Sequence, residues 1–232
     1  MGRQPLHAID RGNPARLWAE SRPLPPAAYQ PSAAEVAPTL LGHWLLRRLP
    51  GGVAGGRIVE VEAYLRDDPA SHAFRGPTPR NRSMFGPPGL AYVYLIYGLH
   101  HCVNAVCGPA GVGEAVLIRA LEPGVGLARM ARRRKQPGPG NLTDGPGKLC
   151  VALDIDRQLD GANLCDPQGE LWIAMAEDRE SFVNDRGGIE VTPRIGITQG
   201  AELPLRFVLK ASHGPSRAIG RKRGRRRGTR VS

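Results

Sequence analysis

The sequence predicts an α+β fold: a single mixed domain with a curved, largely antiparallel sheet and packed helices. Three observations favour this fold. Segments rich in branched and aromatic residues, typical of strands, follow one another along the chain with turn signals between them. Segments whose apolar residues recur at helical spacing lie before and among these strands. The chain has no internal repeat, and 41% hydrophobic residues allow a chain of 232 to bury one sizeable core.

An irregular arm, residues 1–30, comes first, because this stretch is rich in Pro, Arg and Ala and shows no period. The letters SAAE, which begin at Ser32, form a capping box. Apolar residues then recur at helical spacing as far as Leu49, and PGG follows. We therefore predict a helix whose regular turns begin near Ala37, with Pro38 tolerated in the first turn.

The first predicted strand is Arg57–Tyr64, in which successive side chains point to opposite faces. One face of this half-buried strand carries two carboxylates, Glu60 and Glu62, and ends at Tyr64. A carboxylate in such a place must be hydrated, paired or used in chemistry. We assign Glu60 no catalytic role and expect it at the surface or in an ion pair.

The later elements complete one domain, residues 31–213. Gly98 predicts a hairpin or short loop between two of its strands. The further predicted strands are Leu90–Ile96, 102–106, Ala115–Leu121, Leu171–Ala174, Ile189–Thr192 and Leu205–Leu209, and helices are predicted over Val125–Lys135 and from Lys148.

The net charge of +11 is concentrated in a predicted disordered tail, residues 214–232. Eight of the 32 basic residues follow Ala211 and no acidic residue does, so the other 24 stand against 21 acidic residues, an excess of +3. The tail is either a solvated appendage or a non-specific tether to a polyanion.

The composition favours a protein of the cell interior. No apolar run approaches the ~20 residues of a membrane span, and the N-terminal letters contain no signal-peptide core. The four cysteines form no CxxC pair, so we expect buried free thiols in a reducing compartment and no metal site.

Aromatic residues gather around Glu62 in the sequence, although they make up only 5% of the chain. Tyr64 shares its face, His72 lies eight residues further on, and AYVYLIYG supplies Tyr92, Tyr94 and Tyr97. A carboxylate beside aromatic rings favours a pocket that stacks a flat ligand and performs acid–base chemistry on it. Ordinary packing of aromatic residues on strands is the alternative.

One long segment reads GRIVEVEAYLRDDPASHAFRGPTPRNRSMFGPPGLAYVYLIYGLHHCVNAV, and VLIRALEP, NLTDGPGKLCVALDI, PRIGI and PLRF follow it in this order. Together these motifs resemble those of the alkyladenine (3-methyladenine) DNA glycosylase family. The resemblance spans roughly Leu40 to Phe207. It implies a monofunctional glycosylase that flips alkylated purines out of duplex DNA, hydrolyses the N-glycosidic bond and initiates base-excision repair. Deaminated purines remain an open further substrate.

The resemblance also implies the catalytic residues. Glu62, the second glutamate of EVEAY, corresponds to the general base that activates a water to attack the deoxyribose C1′. Arg119 in LIRAL corresponds to an arginine that helps to hold this water, and the carbonyl of Ile195 in PRIGI would be a further ligand of it. No metal or organic cofactor is implied.

The remaining implied roles concern DNA. Tyr64, His72 and Tyr94 match aromatic residues that enclose the flipped base. Tyr97 matches the residue that intercalates through the minor groove into the vacated stack. Asn104 in CVNAV matches a residue that crowds the exocyclic amine of normal guanine. The expected partner is double-stranded DNA containing damaged purines, bound by a monomer.

Two other functions remain open. The first is a catalytically silent nucleic-acid-binding module on the same scaffold, although Glu62 together with Arg119 favours the enzyme. The second is a bifunctional glycosylase with lyase activity, which needs a nucleophilic amine in the pocket. Lys148 is the only lysine of the matched motifs, and the resemblance does not place it there.

Overall fold

The sheet is organised around its longest strand, β2 (Gly52–Tyr64). The computed structural model describes residues 21–135 and 141–212. One edge of β2 pairs with β5 (Glu114–Val125). The other edge pairs first with β1 (Trp44–Leu49) and then with β8 (Arg206–Leu209). The sheet therefore divides along β2 and curls, and its pairings are antiparallel.

The described residues contain eight strands and four α-helices, which confirms the predicted α+β fold. The strand order is β3-β4-β5-β2-β1-β6, and β7 joins it through β8. The predicted hairpin at Gly98 is confirmed between β3 and β4. The strands not yet given are β3 (Ala91–Ile96), β4 (His100–Cys107), β6 (Leu171–Ala174) and β7 (Ile189–Thr192).

The first helix, α1 (Ala33–Leu40), is shorter than predicted. Its capping box is confirmed, since the Ser32 amide donates to the Glu35 carboxylate at 3.1 Å. The prediction of a helix through Leu49 was wrong, because residues 44–49 form β1. Gly42, with a φ of +84°, turns the chain into that strand.

Pro38 lies near the end of α1 and not in its first turn, which corrects the predicted start near Ala37. The error has a physical cause: the letters WLLRRL fit both a helical face and a strand. Their pairing with β2 and β6, distant in sequence, decides between the two structures.

The remaining helices are α2 (Leu127–Arg134), α3 (Pro146–Leu153) and α4 (Arg179–Asp185). The first two confirm predictions, whereas α4 was not predicted. α1 packs on β2 and β5, and α3 packs on β4 and β5. β2 is consequently buried along both faces, which corrects the expectation of a half-buried strand.

The predicted arm and tail are only partly within the described residues. Residues 21–30 contain a short 3₁₀-helix, Pro26–Tyr29, whose Tyr29 is buried against the core. Residues 1–20 and the predicted tail, 214–232, lie outside the described part. Among the cysteines, all of which are free, Cys165 is partly exposed and the other three are buried. No helix in the described ranges is long and apolar enough to cross a membrane.

Candidate active site

The strands β2 and β5 change register where the candidate site lies. Glu60 pairs with Ala120, but the next residue of β2, Val61, pairs with Ile118. Arg119 is thus the extra residue of a bulge in β5. Bulges of this kind re-aim side chains and are frequent beside active sites. Here the bulge brings Arg119 to the two glutamates of β2, although it lies 57 residues beyond Glu62 in the chain.

Glu62 is fully buried, and its carboxylate accepts hydrogen bonds on both oxygens. Oε2 accepts from the Tyr64 hydroxyl at 2.9 Å and from an Arg119 guanidinium nitrogen at 3.0 Å. Oε1 accepts from the Ile195 amide at 2.8 Å. These donors, all within the described residues, fix the orientation of the carboxylate. Each carboxylate oxygen can accept about two hydrogen bonds, so Oε1 retains capacity for one more.

Glu60 is also fully buried and forms the ion pairs that were one of its two expected states. Its Oε1 accepts from Arg119 Nε at 3.0 Å and from Arg206 Nε at 2.6 Å. Of the two expected states the structure shows the ion pair, in a buried position and not at the surface. Two carboxylates and two guanidinium groups therefore form a buried network with balanced charge.

The two glutamates keep the guanidinium of Arg119 charged. Burial opposes its charge, but Glu62 and Glu60 outweigh burial and raise the pKa of its guanidinium. The pKa of the Tyr64 phenol is raised by burial and by Glu62. Tyr64 therefore remains a hydrogen-bond donor to Glu62 throughout the physiological pH range.

A cavity of ≈ 160 Å³ opens beside Arg119 and is lined by aromatic rings. The His72 ring lies 4.4 Å from the Tyr94 ring, edge to face, and Tyr94 lies 5.3 Å from Tyr92, centroid to centroid. The cavity is lined by Tyr64, Ala70, His72, Met84, Tyr92, Tyr94, Ile96, Cys102, Asn104, Leu117, Arg119, Pro146, Gly196 and Ile197. Glu62 lies directly behind this wall, since its hydrogen-bond partners Tyr64 and Arg119 belong to the wall.

Tyr92 is a site residue to which no role was assigned from the sequence. Its hydroxyl lies 2.8 Å from His72 Nδ1, and burial raises its pKa to about 12. The pKa of His72 is lowered, first by burial and then by nearby Arg80. His72 is therefore neutral at pH 7. The signal for Tyr92 was present in the sequence, because it shares a strand face with Tyr94.

Asn104 lies on β4 directly opposite Tyr92 and is almost fully buried. Its side-chain amide donates to the Tyr92 carbonyl at 2.9 Å, which fixes the side chain at the cavity wall. The structure thus brings Tyr64, His72, Tyr94 and Asn104 to one cavity, as the sequence suggested.

Tyr97 lies apart from the cavity wall, at the tip of the β3–β4 hairpin, and is 77% exposed. Its backbone φ is +53°, which is uncommon for a residue other than glycine. Leu99 beside it is equally exposed, so the tip presents an apolar surface. Such exposed, strained positions are associated with function more often than with packing.

Comparison with known proteins shows the family of the chain. The model of one family, described as methylpurine-DNA glycosylase, matches residues 27–213. The chain belongs to this family. A methylpurine-DNA glycosylase is a hydrolase of alkylated-base repair, and damaged DNA is its substrate.

Several relatives are similar to most of this chain. A protein of Methanoculleus marisnigri, named "Putative 3-methyladenine DNA glycosylase", is 53% identical over 194 residues, which cover 84% of this chain and 98% of that protein. Proteins with the same name occur in Rhodopseudomonas palustris (51% identical over 185 residues, 78% and 82% covered) and Rubrobacter xylanophilus (48% over 185 residues, 78% and 93% covered).

Proposed function

We propose that this methylpurine-DNA glycosylase removes 3-methyladenine and related alkylated purines from duplex DNA, with Glu62 as the general base. One observation carries the proposal: a buried carboxylate, held by donors on both oxygens, lies behind the wall of an aromatic cavity. The names of the relatives support the substrate class.

The target base must leave the duplex before it can reach such a cavity, at a cost of a few kcal/mol. The exposed Tyr97 suits the insertion of a wedge into the vacated stack, which offsets part of that cost. Its position at a hairpin tip, away from the cavity wall, separates this function from the chemistry.

The cavity suits a purine that carries a positive charge. Alkylation at N3 or N7 gives such a charge, and the faces of aromatic rings attract it by about 0.5–2 kcal/mol. His72 would repel a cation if it were protonated. Burial lowers its pKa, so the neutral ring can form part of the cage at pH 7.

Hydrolysis then needs one water and one base. The water oxygen attacks C1′ while its proton passes to Glu62, and the C1′–N bond breaks with its electron pair leaving on the purine. The products are the free base and an abasic site. We assign the proton to Oε1, because Oε2 already accepts two hydrogen bonds. Arg119 orients the carboxylate, and the Ile195 carbonyl remains proposed as a ligand of the water.

Asn104 is proposed to exclude normal guanine. Its side chain is fixed by the bond to the Tyr92 carbonyl and cannot move aside without breaking that bond. A guanine that enters the cavity would bring its exocyclic amine against this side chain. Rejection by such a clash is a common source of specificity.

Lyase chemistry is disfavoured by the cavity lining, because none of the lining residues in the described ranges is a lysine. Lys148 instead pairs with Asp144 at 2.9 Å. We therefore propose a monofunctional enzyme, and a covalent DNA adduct trapped by borohydride would contradict it. The predicted location in the cell interior and the monomeric state stay predictions.

The proposal is tested by release of free 3-methyladenine from methylated duplex DNA. Wild-type protein should release the base, and Glu62→Gln should bind the DNA without releasing it. A silent DNA-binding module would bind in both forms and release no base in either.

A further inference from the structure

A further buried ion pair, Asp68 with Arg194, lies against the ring of Tyr64. Asp68 and Arg194 are both almost fully buried. Arg194 donates to both carboxylate oxygens of Asp68, at 3.0 Å to Oδ1 and by a short contact to Oδ2. Burying such a pair gives little net stability, because desolvation costs about as much as the attraction returns. Its presence beside the site therefore requires another explanation.

The Arg194 guanidinium joins three segments of the chain. It donates to the Ala63 carbonyl at the end of β2, at 3.1 Å, and to the Gly200 carbonyl at 3.2 Å. Its central carbon lies 4.7 Å from the centre of the Tyr64 ring. Asp68 holds the guanidinium in this orientation from the segment that follows β2. A planar, bidentate pair of this kind is more rigid than a single contact.

Two groups next to Arg194 donate hydrogen bonds to Glu62. The residue next to Arg194 is Ile195, whose amide donates to Glu62 Oε1 at 2.8 Å. The ring that lies under Arg194 is that of Tyr64, whose hydroxyl donates to Glu62 Oε2 at 2.9 Å. A shift of Arg194 would therefore move two groups that orient the carboxylate, one on each oxygen.

We propose that Asp68 and Arg194 are positioning residues for the general base, which they control through Ile195 and Tyr64. Neither residue is among those that line the cavity, so neither is assigned contact with the flipped purine. The inference rests on the proposed role of Glu62. It predicts that the pair governs the rate of bond cleavage and leaves DNA affinity unchanged.

Asp68→Asn is the most direct perturbation, since it keeps the shape of the side chain and removes the charge. The released guanidinium should shift, and displacement of a catalytic group by about 1 Å costs up to about 10²-fold in rate. We expect the single-turnover rate constant for 3-methyladenine release to fall by about 10- to 100-fold. The protein concentration for half-saturation of methylated duplex DNA should change by less than about threefold.

The chain offers two matched controls. Asp67 is the preceding residue and its side chain is 98% exposed, so Asp67→Asn should behave as wild type. Asp178 pairs with buried Arg57 at 2.6 Å and does not line the cavity. Asp178→Asn should lower the melting temperature, yet it should keep the rate constant at temperatures where it is fully folded. This control distinguishes the effect of losing any buried ion pair from the effect of losing the pair of Asp68 and Arg194.

The decisive comparison uses Asp68→Asn in the Glu62→Gln background. If Asp68 acts through Glu62, the double variant should release base as slowly as Glu62→Gln alone. An additional loss as large as that in the wild-type background would overturn the inference, because it would show an effect independent of the base. An equal loss of rate in folded Asp178→Asn would also overturn the inference.

A second variant keeps the test decisive if Asp68→Asn does not fold. Arg194→Lys retains the positive charge beside Asp68 but loses the planar fork that reaches Ala63 and Gly200. It should show the same loss of rate with unchanged affinity, and a wild-type rate in this variant would reject the positioning role.

Near-normal release by Glu62→Gln would reject the proposed base itself. A wild-type rate in folded Asp68→Asn, with Glu62→Gln inactive, would reject this inference alone.

Discussion

Removal of the charge on Glu60 is expected to destabilise the protein strongly, although Glu60 has no assigned contact with substrate. Its Oε1 accepts from both Arg119 and Arg206, and the carboxylate is fully buried. Glu60→Gln keeps the side-chain volume but leaves the network with two guanidinium groups and one carboxylate. Breaking a buried ion pair by neutralising one partner costs about 3–5 kcal/mol.

The size of the effect can be measured by thermal unfolding against an internal control. For a domain of this size, 1 kcal/mol corresponds to about 2–4 °C, so the melting temperature should fall by roughly 6–20 °C. Glu190 provides the control: it pairs with Val208 of β8, which itself pairs with Glu60, but it is exposed at the outer strand β7.

Glu190→Gln should therefore change the free energy of unfolding by less than about 0.5 kcal/mol. Chemical denaturation at pH 7 supplies the free energies directly. A melting temperature for Glu60→Gln within 2 °C of wild type would refute the reasoning (the threshold is about 1 kcal/mol). That result would mean that other groups compensate the charges of Arg119 and Arg206 when this carboxylate is lost.

Three further outcomes are expected. Tyr97→Ala should slow base release from fully paired DNA more than from mismatched DNA, where less unstacking is needed; equal losses on both substrates would contradict the wedge. Asn104→Ala should raise the release of undamaged guanine relative to hypoxanthine, and an unchanged ratio would argue against exclusion by this side chain. His43 accepts from the Ala176 amide, and burial, aided by Arg179, lowers its pKa from 6.5 to about 4. Because the unfolded state binds the proton more tightly, stability should fall between pH 6.5 and 4, by up to about 3 kcal/mol. Denaturant melts across this range should show a weaker pH dependence for His43→Gln; identical slopes would contradict the assignment.

The strands of the sheet could be predicted from local pattern, because alternation and aromatic content report the burial of each face. β1 could not be predicted in this way, because its sequence fits a helix as well as a strand. Pairing with its two neighbouring strands determines that it is a strand. The position of Arg119 depends on a bulge, and a one-residue register shift leaves no mark in a periodic pattern.

The candidate site likewise contains some residues that the sequence could predict and others that it could not. Strand parity alone could place Glu62 with Tyr64 on one face of a strand, and Tyr92 with Tyr94 on one face of another. The role of Arg119 came from the resemblance to a family, because a residue 57 positions from Glu62 has no local link to it. No role was predicted from the sequence for Asp68 or Arg194. They lie 126 residues apart, and an aspartate in a polar loop gives no sign that it will be buried.

The central claim is that Glu62 is the general base, and single-turnover release of 3-methyladenine by Glu62→Gln tests it most directly. The amide keeps the volume, and its single oxygen can still accept from the donors on one side, but it cannot take the proton from water. The rate constant should fall by roughly 10²–10⁴-fold, while affinity for methylated duplex DNA stays near that of wild type. Glu190→Gln should retain the wild-type rate. A near-normal rate constant in folded Glu62→Gln would show that another group removes the proton.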